Sequence, residues 1–564
     1  MEKEIRHIIT QLKKGKIDIW ASIKYYKIIP YLVALYLLYL SRNITLTIVT
    51  SIQDIRPDTF FYNIYKLLVY YGLPIVEGFV FFKFTRDRRY KVVTDGRNYG
   101  KDTSHFNRTY SELVEFYKES EPHKMDTSVY EVTNWRNCKG INFGYDKDGR
   151  AIWLPEDCEY NFAIFGPPGS SKTAGFCNVN AVTFPGSCLI VDIKSDIYNY
   201  VRKQKLRKKI LRFCPDEKNA LEISAHFDPL LGFNRMTPRD RKLAIERIAN
   251  SLIPDDGGNE NNYFPETARA YFRGVTHLLY DANPSVTFPQ IVHSILQGNY
   301  MEWVNKAIAG DCIEAKELLA PFYGNSEKNV SGGYQNLTKR LNVFSDPILD
   351  DLLTYKKGRT ISSHALDQGY DIYLQISEKS LKTSMGSLLT MIIETFSDQF
   401  LDRPDTSTGA QNRKILMILD ELSSLHLSYD LLNVNLSKLR SKSVLTAIIL
   451  QNLPQLRRLY GEDGSESILG NCHVQAILGA NDNKTSRYFS EKLGMKKELR
   501  RGNSTNSNGK EQTISKTTQE IDVPVYRPED VSDIKAAGEN ILYVDGKYTF
   551  LKKLNCYKDD PKAA

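Results

Sequence analysis

Asn161-Phe162-Ala163-Ile164-Phe165-Gly166-Pro167-Pro168-Gly169-Ser170-Ser171-Lys172-Thr173-Ala174-Gly175-Phe176 is the stretch on which the fold turns. It opens with a short apolar run of β-formers and closes as the start of a helix. A second apolar run, Cys188-Leu189-Ile190-Val191, then ends in Asp192. Strand, glycine-rich turn, helix and strand form the context that a phosphate-binding loop requires. Gly166, Gly169, Ser170, Ser171, Lys172 and Thr173 are therefore the expected nucleotide-binding residues. Backbone N–H groups and the helix N-terminus would face the anion, with Lys172 placing a charge on the β- and γ-phosphates. Thr173 would offer its hydroxyl to Mg²⁺. Ser171 departs from the pattern, since glycine normally precedes the lysine, and serine reaches the required backbone conformation only with strain. The competing reading is a glycine-rich turn with an incidental Lys-Thr.

A phosphate loop needs an acidic partner on a neighbouring strand. Lys414-Ile415-Leu416-Met417-Ile418-Leu419 has buried-strand character and ends in Asp420-Glu421. Carboxylates at the C-terminal end of a buried parallel strand sit where ligands of α/β folds bind. Asp420 is the expected Mg²⁺ partner, and Glu421 the residue that orients or deprotonates the attacking water. A solvated strand end is the alternative. A third run, Val444 to Leu450, ends in Gln451, which either senses the γ-phosphate or is a structural strand-end amide. Arg440 precedes that strand. It is either a solvated helix-end cation or an arginine that reaches a neighbouring subunit's γ-phosphate.

At 564 residues the chain needs two to four domains. Its net charge of +8 permits polyanionic partners without demanding them. Eight scattered cysteines, with no CxxC pair, read as reduced residues rather than a zinc site or a disulfide framework. The first ninety residues differ in kind. Apolar segments near 28–49 and 60–82 are marginal spans taken alone. Lys3, Arg6, Lys13, Lys14, Lys16, Lys24 and Lys27 precede the first, and Lys83, Arg86, Arg88, Arg89 and Lys91 follow the second. That asymmetry predicts a transmembrane helix hairpin over 1–90 with both ends in the cytoplasm. A pair of buried amphipathic helices in a soluble domain is the other reading.

Between Lys172 and Asp420 lies far more chain than one crossover needs. Thr237-Pro238-Arg239-Asp240 reads as a helix start, with Ala244, Ile245, Ile248 and Leu252 on one face. Phe264 to Tyr280, Phe288 to Leu296 and Trp303 to Leu319 also read helical, and the sheet resumes near Tyr370. The expected organisation is an α/β nucleotide-binding domain over 91–225 and 365–564, interrupted by an all-α domain over 226–364. Arg501 to Gly509 reads as a polar surface loop.

Several further stretches carry a family likeness. Ser187-Cys188-Leu189-Ile190-Val191-Asp192-Ile193-Lys194-Ser195-Asp196, Phe227-Asp228-Pro229-Leu230 and Asn262-Tyr263-Phe264-Pro265-Glu266-Thr267-Ala268-Arg269 appear in order. Leu419-Asp420-Glu421-Leu422, Ile448-Ile449-Leu450-Gln451-Asn452, Leu469-Gly470-Asn471-Cys472, Gly479-Ala480-Asn481-Asp482 and Val525-Tyr526-Arg527-Pro528-Glu529-Asp530-Val531 follow. Together they resemble the type IV secretion system coupling proteins, the TraG/TraD-type conjugative DNA-transfer ATPases, over roughly residues 140–560. The turn after Asp192 departs from the family's D-P-K-G-E pattern, with Ile193, Ser195 and Asp196 in place of proline, glycine and glutamate.

The resemblance implies a RecA-like, P-loop, ATP- and Mg²⁺-dependent motor. It would be a homo-hexamer at the bacterial inner membrane, multi-pass, with most of the chain cytoplasmic. It would move relaxase-bound single-stranded DNA, without sequence preference, toward a type IV secretion channel during conjugation. The inserted all-α domain would contact substrate, and Arg440 would act across subunits. Two alternatives stand beside it: a nucleotide-binding docking platform without turnover, and a chromosome-segregation-type DNA translocase.

Overall fold

The computed structural model describes residues 125, 127, 131–204, 208–254, 263–324, 327–381, 385–425, 427–507 and 512–559. The predicted spans 28–49 and 60–82 lie outside the described residues. Among the described residues no helix is long and apolar enough to cross a membrane. The chain divides into Met1–Leu113 and Val114–Ala564, and the described residues all lie in the second unit.

Its centre is a mixed sheet of twelve strands. In chain order these are β1 (Glu131–Val132), β2 (Gly140–Tyr145), β3 (Ala151–Pro155), β4 (Phe162–Phe165), β5 (Ser187–Val191) and β6 (Lys209–Phe213). β7 (Tyr370–Leu374), β8 (Ile415–Leu419), β9 (Val444–Leu450) and β10 (Val474–Ile477) follow. A separate hairpin, β11 (Met495–Ser507) with β12 (Gln512–Pro524), precedes β13 (Glu539–Val544) and β14 (Lys547–Lys552). The order across the sheet is β1-β3-β2-β14-β13-β10-β4-β9-β8-β5-β7-β6.

From β10 to β6 all pairings are parallel, and within this half β4, β5, β7, β8 and β9 coincide with the apolar runs of the sequence. Every residue of β4, β5, β8 and β9 is buried, because helices cover both faces of a parallel sheet. The pairs Phe165↔Leu450, Leu419↔Ile448 and Val191↔Leu419 bring the C-terminal ends of β4, β9, β8 and β5 to one edge. The antiparallel wing of β13, β14, β2, β3 and β1 extends the other side.

Most of the chain between β6 and β7 is helical. Its entry and exit are clasped together: His226 N–H donates to Arg359 O (2.9 Å) and Ile361 N–H to His226 O (2.8 Å). The helix Pro238–Leu252 starts as its sequence suggests, with Thr237 Oγ1 accepting from Asp240 N–H at 3.2 Å. Helices Tyr263–Ala282 and Phe288–Gln297 match the periodic stretches, while Trp303 to Leu319 is two helices, Tyr300–Ala309 and Ile313–Leu319. Gly310-Asp311-Cys312 intervenes, and Gly310 ends the first helix. Aromatic packing fills the insert: Tyr271 stacks on Phe322 at 5.1 Å, and Trp303 Nε1 donates to Tyr334 Oη at 3.2 Å.

The insert is not freestanding. Pro238–Leu252 packs on the helix Met385–Leu401 of the nucleotide domain, where Arg247 pairs with Asp398 at 2.5 Å. Residues 501–507, expected as a loop, are instead part of strand β11, whose ladder runs from Met495↔Pro524 to Ser507↔Gln512. Asn and Gly are poor strand formers, so cross-strand backbone pairing over the full ladder overrides local propensity here.

Candidate functional site

The loop after β4 has a nest geometry. Gly169 (φ 73°) and Ser171 (φ 72°) are both left-handed, and a wide π-helical turn, Lys172–Cys177, follows. The first-turn N–H groups of such a turn have no intrahelical acceptor and are the ready partners of an anion. Ser171 thus adopts the backbone that glycine would supply, at the strain expected of a non-glycine residue. Gly175 is needed for another reason: a Cβ there would lie 2.5 Å from Leu554 O, where the chain following β14 runs under the loop. Ser170 Oγ is buried without a hydrogen-bond partner among the described residues.

Lys172 Nζ folds back over the loop, donating to Gly166 O at 2.5 Å and Pro167 O at 3.2 Å. Burial lowers its pKa, while the charge of Asp420 opposes that shift. Asp420 follows β8 and is pushed up to about 6, first by burial and then by the charge of Glu421, with Lys172 pulling the other way. Its Oδ1 accepts from the Glu421 N–H at 3.0 Å. Glu421 is itself left-handed (φ 53°), which turns the chain sharply out of the strand. Gln451 follows β9 directly beside the loop, for Gly166 N–H donates to Leu450 O at 3.0 Å. Its Oε1 accepts from Gln455 Nε2 at 3.5 Å.

Lys172, Asp420, Glu421 and Gln451 therefore meet at one sheet edge with the loop residues Gly166 to Thr173. A half-buried carboxyl raised by desolvation and by its neighbour Glu421, a lysine resting on loop carbonyls and an orphaned serine hydroxyl suit a Mg²⁺–nucleotide. Thr173 and Asp420 would hold the metal, which would neutralise phosphate charge.

Arg440 is not part of this cluster. It lies before β9, at the opposite edge of the sheet, separated by the length of that strand, roughly 20 Å. There its guanidinium approaches the His473 ring at 3.3 Å, and that ring stacks on Tyr160 at 5.5 Å. The arginine cannot serve a nucleotide on its own chain's loop from this position.

Other residues join the site that sequence reasoning did not assign to it. Asp192, at the end of β5, accepts from the N–H groups of Ile197 (3.2 Å) and Tyr198 (2.8 Å), so it caps the helix Asp196–Lys203. Lys194 reaches Glu421 at 3.3 Å and Glu378 at 3.1 Å. Lys535, from the helix Pro528–Ala537, donates to Pro168 O at 2.8 Å. Asp192 shares the strand-then-acid signature of Asp420 and was legible on that ground. Nothing local marks Lys535, which is brought to the loop by the fold alone.

A family model described as "Type IV secretory system Conjugative DNA transfer" matches residues 115–563. A conjugal transfer protein TraG of Escherichia coli is 23% identical over 490 residues, spanning 80% of this chain and 74% of that protein. Protein VirD4 of Agrobacterium fabrum is 20% identical over 411 residues, 70% of this chain and 58% of the relative. Among solved structures, the plasmid coupling protein TrwB in complex with ADP and Mg²⁺ superposes with a TM-score of 0.55. It is 16% identical, and the match covers 77% of this chain and 93% of that one. An unbound form of the same coupling protein superposes at 0.56 over 75% and 92% of the two chains, so the fold is shared.

Proposed function

We propose, from the premise that this chain belongs to the type IV secretory system conjugative DNA-transfer family, that it is the coupling ATPase of such a system. The observation that carries the reading is the convergence of Lys172, Asp420 and Glu421 at the C-terminal edge of one parallel sheet. The loop Gly166–Thr173 would hold ATP, and Thr173 and Asp420 would hold Mg²⁺, which would neutralise phosphate charge. Lys172 leaves the loop carbonyls for the β- and γ-phosphates. Glu421 orients or deprotonates the attacking water, and Gln451 lies beside the γ-phosphate. Arg440 acts on a neighbouring subunit's nucleotide, a division that its distance from its own loop supports.

The nucleotide domain is RecA-like and spans 91–225 and 365–564, interrupted by the helical domain 226–364. Residues 1–90 anchor the chain in the inner membrane through spans near 28–49 and 60–82. Six copies surround DNA, which arrives with its relaxase and leaves through the secretion channel. Contacts from Lys and Arg to phosphates would be indifferent to base sequence, as a pump requires. TraG and VirD4 relatives support conjugative transfer over the chromosome-segregation alternative. The platform alternative rested on Ser171, and the left-handed backbone of that residue favours a working loop over a degenerate one.

The test is ATP hydrolysis by the full-length chain with and without single-stranded DNA. Turnover that DNA stimulates, reduced about 10²-fold or more in Lys172→Ala and Glu421→Gln, is the expected result. Nucleotide binding without turnover under any condition would leave the docking platform as the better reading.

A further inference from the structure

Beside the phosphate loop, three charged side chains from three parallel strands share one contact. Lys194 follows β5, Glu421 follows β8, and Glu378 opens the helix Glu378–Leu381 after β7. The ammonium of Lys194 lies 3.3 Å from Glu421 Oε1 and 3.1 Å from Glu378 Oε1. The strand order β4-β9-β8-β5-β7 gives this contact a direction. The phosphate loop follows β4, two strands or roughly 10 Å to one side of Glu421. Lys194 and Glu378 lie on the other side. The partner that Glu421 takes is thus on the side of β8 away from the phosphate loop.

Glu378 is held in place independently of Glu421. Ser377 N–H and Ser380 Oγ both donate to Asp216, at 2.7 Å and 2.9 Å, which fixes the turn that carries Glu378. The preceding Gln375 donates to Asp192 at 3.3 Å and accepts from Arg212 Nε at 2.7 Å. Lys194 thus has a fixed second carboxylate to which it can transfer. Its hydrogen bond to Glu378 raises its pKa, so it stays charged through the neutral range.

We propose that Lys194 is a positioning residue that restrains Glu421: paired as here it holds the carboxylate off the attacking water, and transfer to Glu378 alone releases it. This rests on reading Glu421 as the residue that activates water. A carboxylate held against an ammonium is turned aside from the water it would have to meet, and geometry comes first for a general base. Side-chain exposures of 55% for Lys194, 57% for Glu378 and 21% for Glu421 make these weak, reversible pairs, as a release requires. The left-handed backbone of Glu421 keeps its side chain at the strand end, within reach of either position.

The experiment uses the full-length chain and ATP, measuring kcat and KM without and with single-stranded DNA. Lys194→Met should raise DNA-free kcat by about two- to fivefold, the range that partly exposed ion pairs supply, with nucleotide affinity unchanged. Its stimulation by DNA should shrink by the same factor. Lys194→Arg should restore the restraint. Glu378→Gln should lower DNA-free kcat, because Lys194 is then left to Glu421 alone. Combining Lys194→Met with Glu421→Gln should give no more turnover than Glu421→Gln.

A second readout needs no nucleotide: melting temperatures of Lys194→Met, Glu421→Gln and the double variant should be non-additive. Additive melting, an unchanged or lower DNA-free kcat in Lys194→Met, or a loss of nucleotide affinity in that variant would each overturn the proposal. Turnover in the wild type with no gain in Lys194→Met sinks the restraint alone. No turnover in either sinks the ATPase reading as well.

Discussion

The two ends of the central strands treat charge in opposite ways. At the N-terminal end, charged and polar groups are matched. Arg403 donates to Lys442 O, Arg413 O and Asp367, each at 2.7 Å, and Asn161 bridges Leu436 O and the Thr446 N–H. At the C-terminal end, the half-buried Asp420 is raised, Lys172 rests on carbonyls, and Ser170 Oγ has no partner among the described residues. Buried polar groups are normally satisfied, so the end that is not satisfied is the end built for a ligand. Arg440, at the N-terminal end, is more loosely held, with Nε donating to Ser437 O at 3.4 Å. Its approach to the His473 ring, at 3.3–3.4 Å, is not a strong partnership.

The largest expected effect concerns that arginine. Arg440→Ala should fold and bind nucleotide normally, yet lose about 10³-fold in DNA-stimulated turnover, as arginines acting across subunits do. Mixing Arg440→Ala protomers with Lys172→Ala protomers should recover part of the activity, since each supplies what the other lacks. Assembled mixtures that recover nothing would place Arg440 among the structural groups of its own edge.

A smaller effect concerns Asp420. Burial first, then Glu421, raise this carboxyl from 3.8 to about 6. A carboxyl raised on folding stabilises the native state while protonated. Its contribution is complete below the unfolded value and is lost as pH climbs through about 6. Without nucleotide or Mg²⁺, this group should remove about 1 kcal/mol of stability between pH 5 and 7. Melting temperatures across that range should show it, and Asp420→Asn should flatten the slope by that share. An unaltered slope would mean that the ligand end is not electrostatically stressed. Smallest is Ser171→Gly, which should relieve left-handed strain and stabilise the chain by about 0.5–1 kcal/mol. A lower melting temperature would show that the serine side chain contributes contacts outweighing that strain.

Much of the ligand end was legible because parallel strands buried on both faces leave continuous apolar runs. Phe162 to Phe165, Ile415 to Leu419 and Val444 to Leu450 announce themselves, and the polar residue after each marks the mouth of the sheet. Val474–Ile477 did not stand out: it is short and carries Gln475, whose amide donates inward to Leu469 O. The antiparallel wing alternates in burial less cleanly and was missed. The contact of Lys194 with Glu421 and Glu378 depends on β5 lying between β8 and β7, an order no local pattern encodes. Likewise Lys535 reaches the loop from the far end of the chain.

The clasp at His226 and Thr360 has an evolutionary corollary. An insertion whose two ends leave and re-enter the parent fold at one point can be rebuilt at its distal side without retuning the engine beneath it. The face of Pro238–Leu252 that meets Met385–Leu401 is the part of the insert bound to co-vary with the helix beneath it. The helices Tyr263–Ala282 and Phe288–Gln297 pack chiefly within the insert, so substitutions there would be felt least by the nucleotide fold.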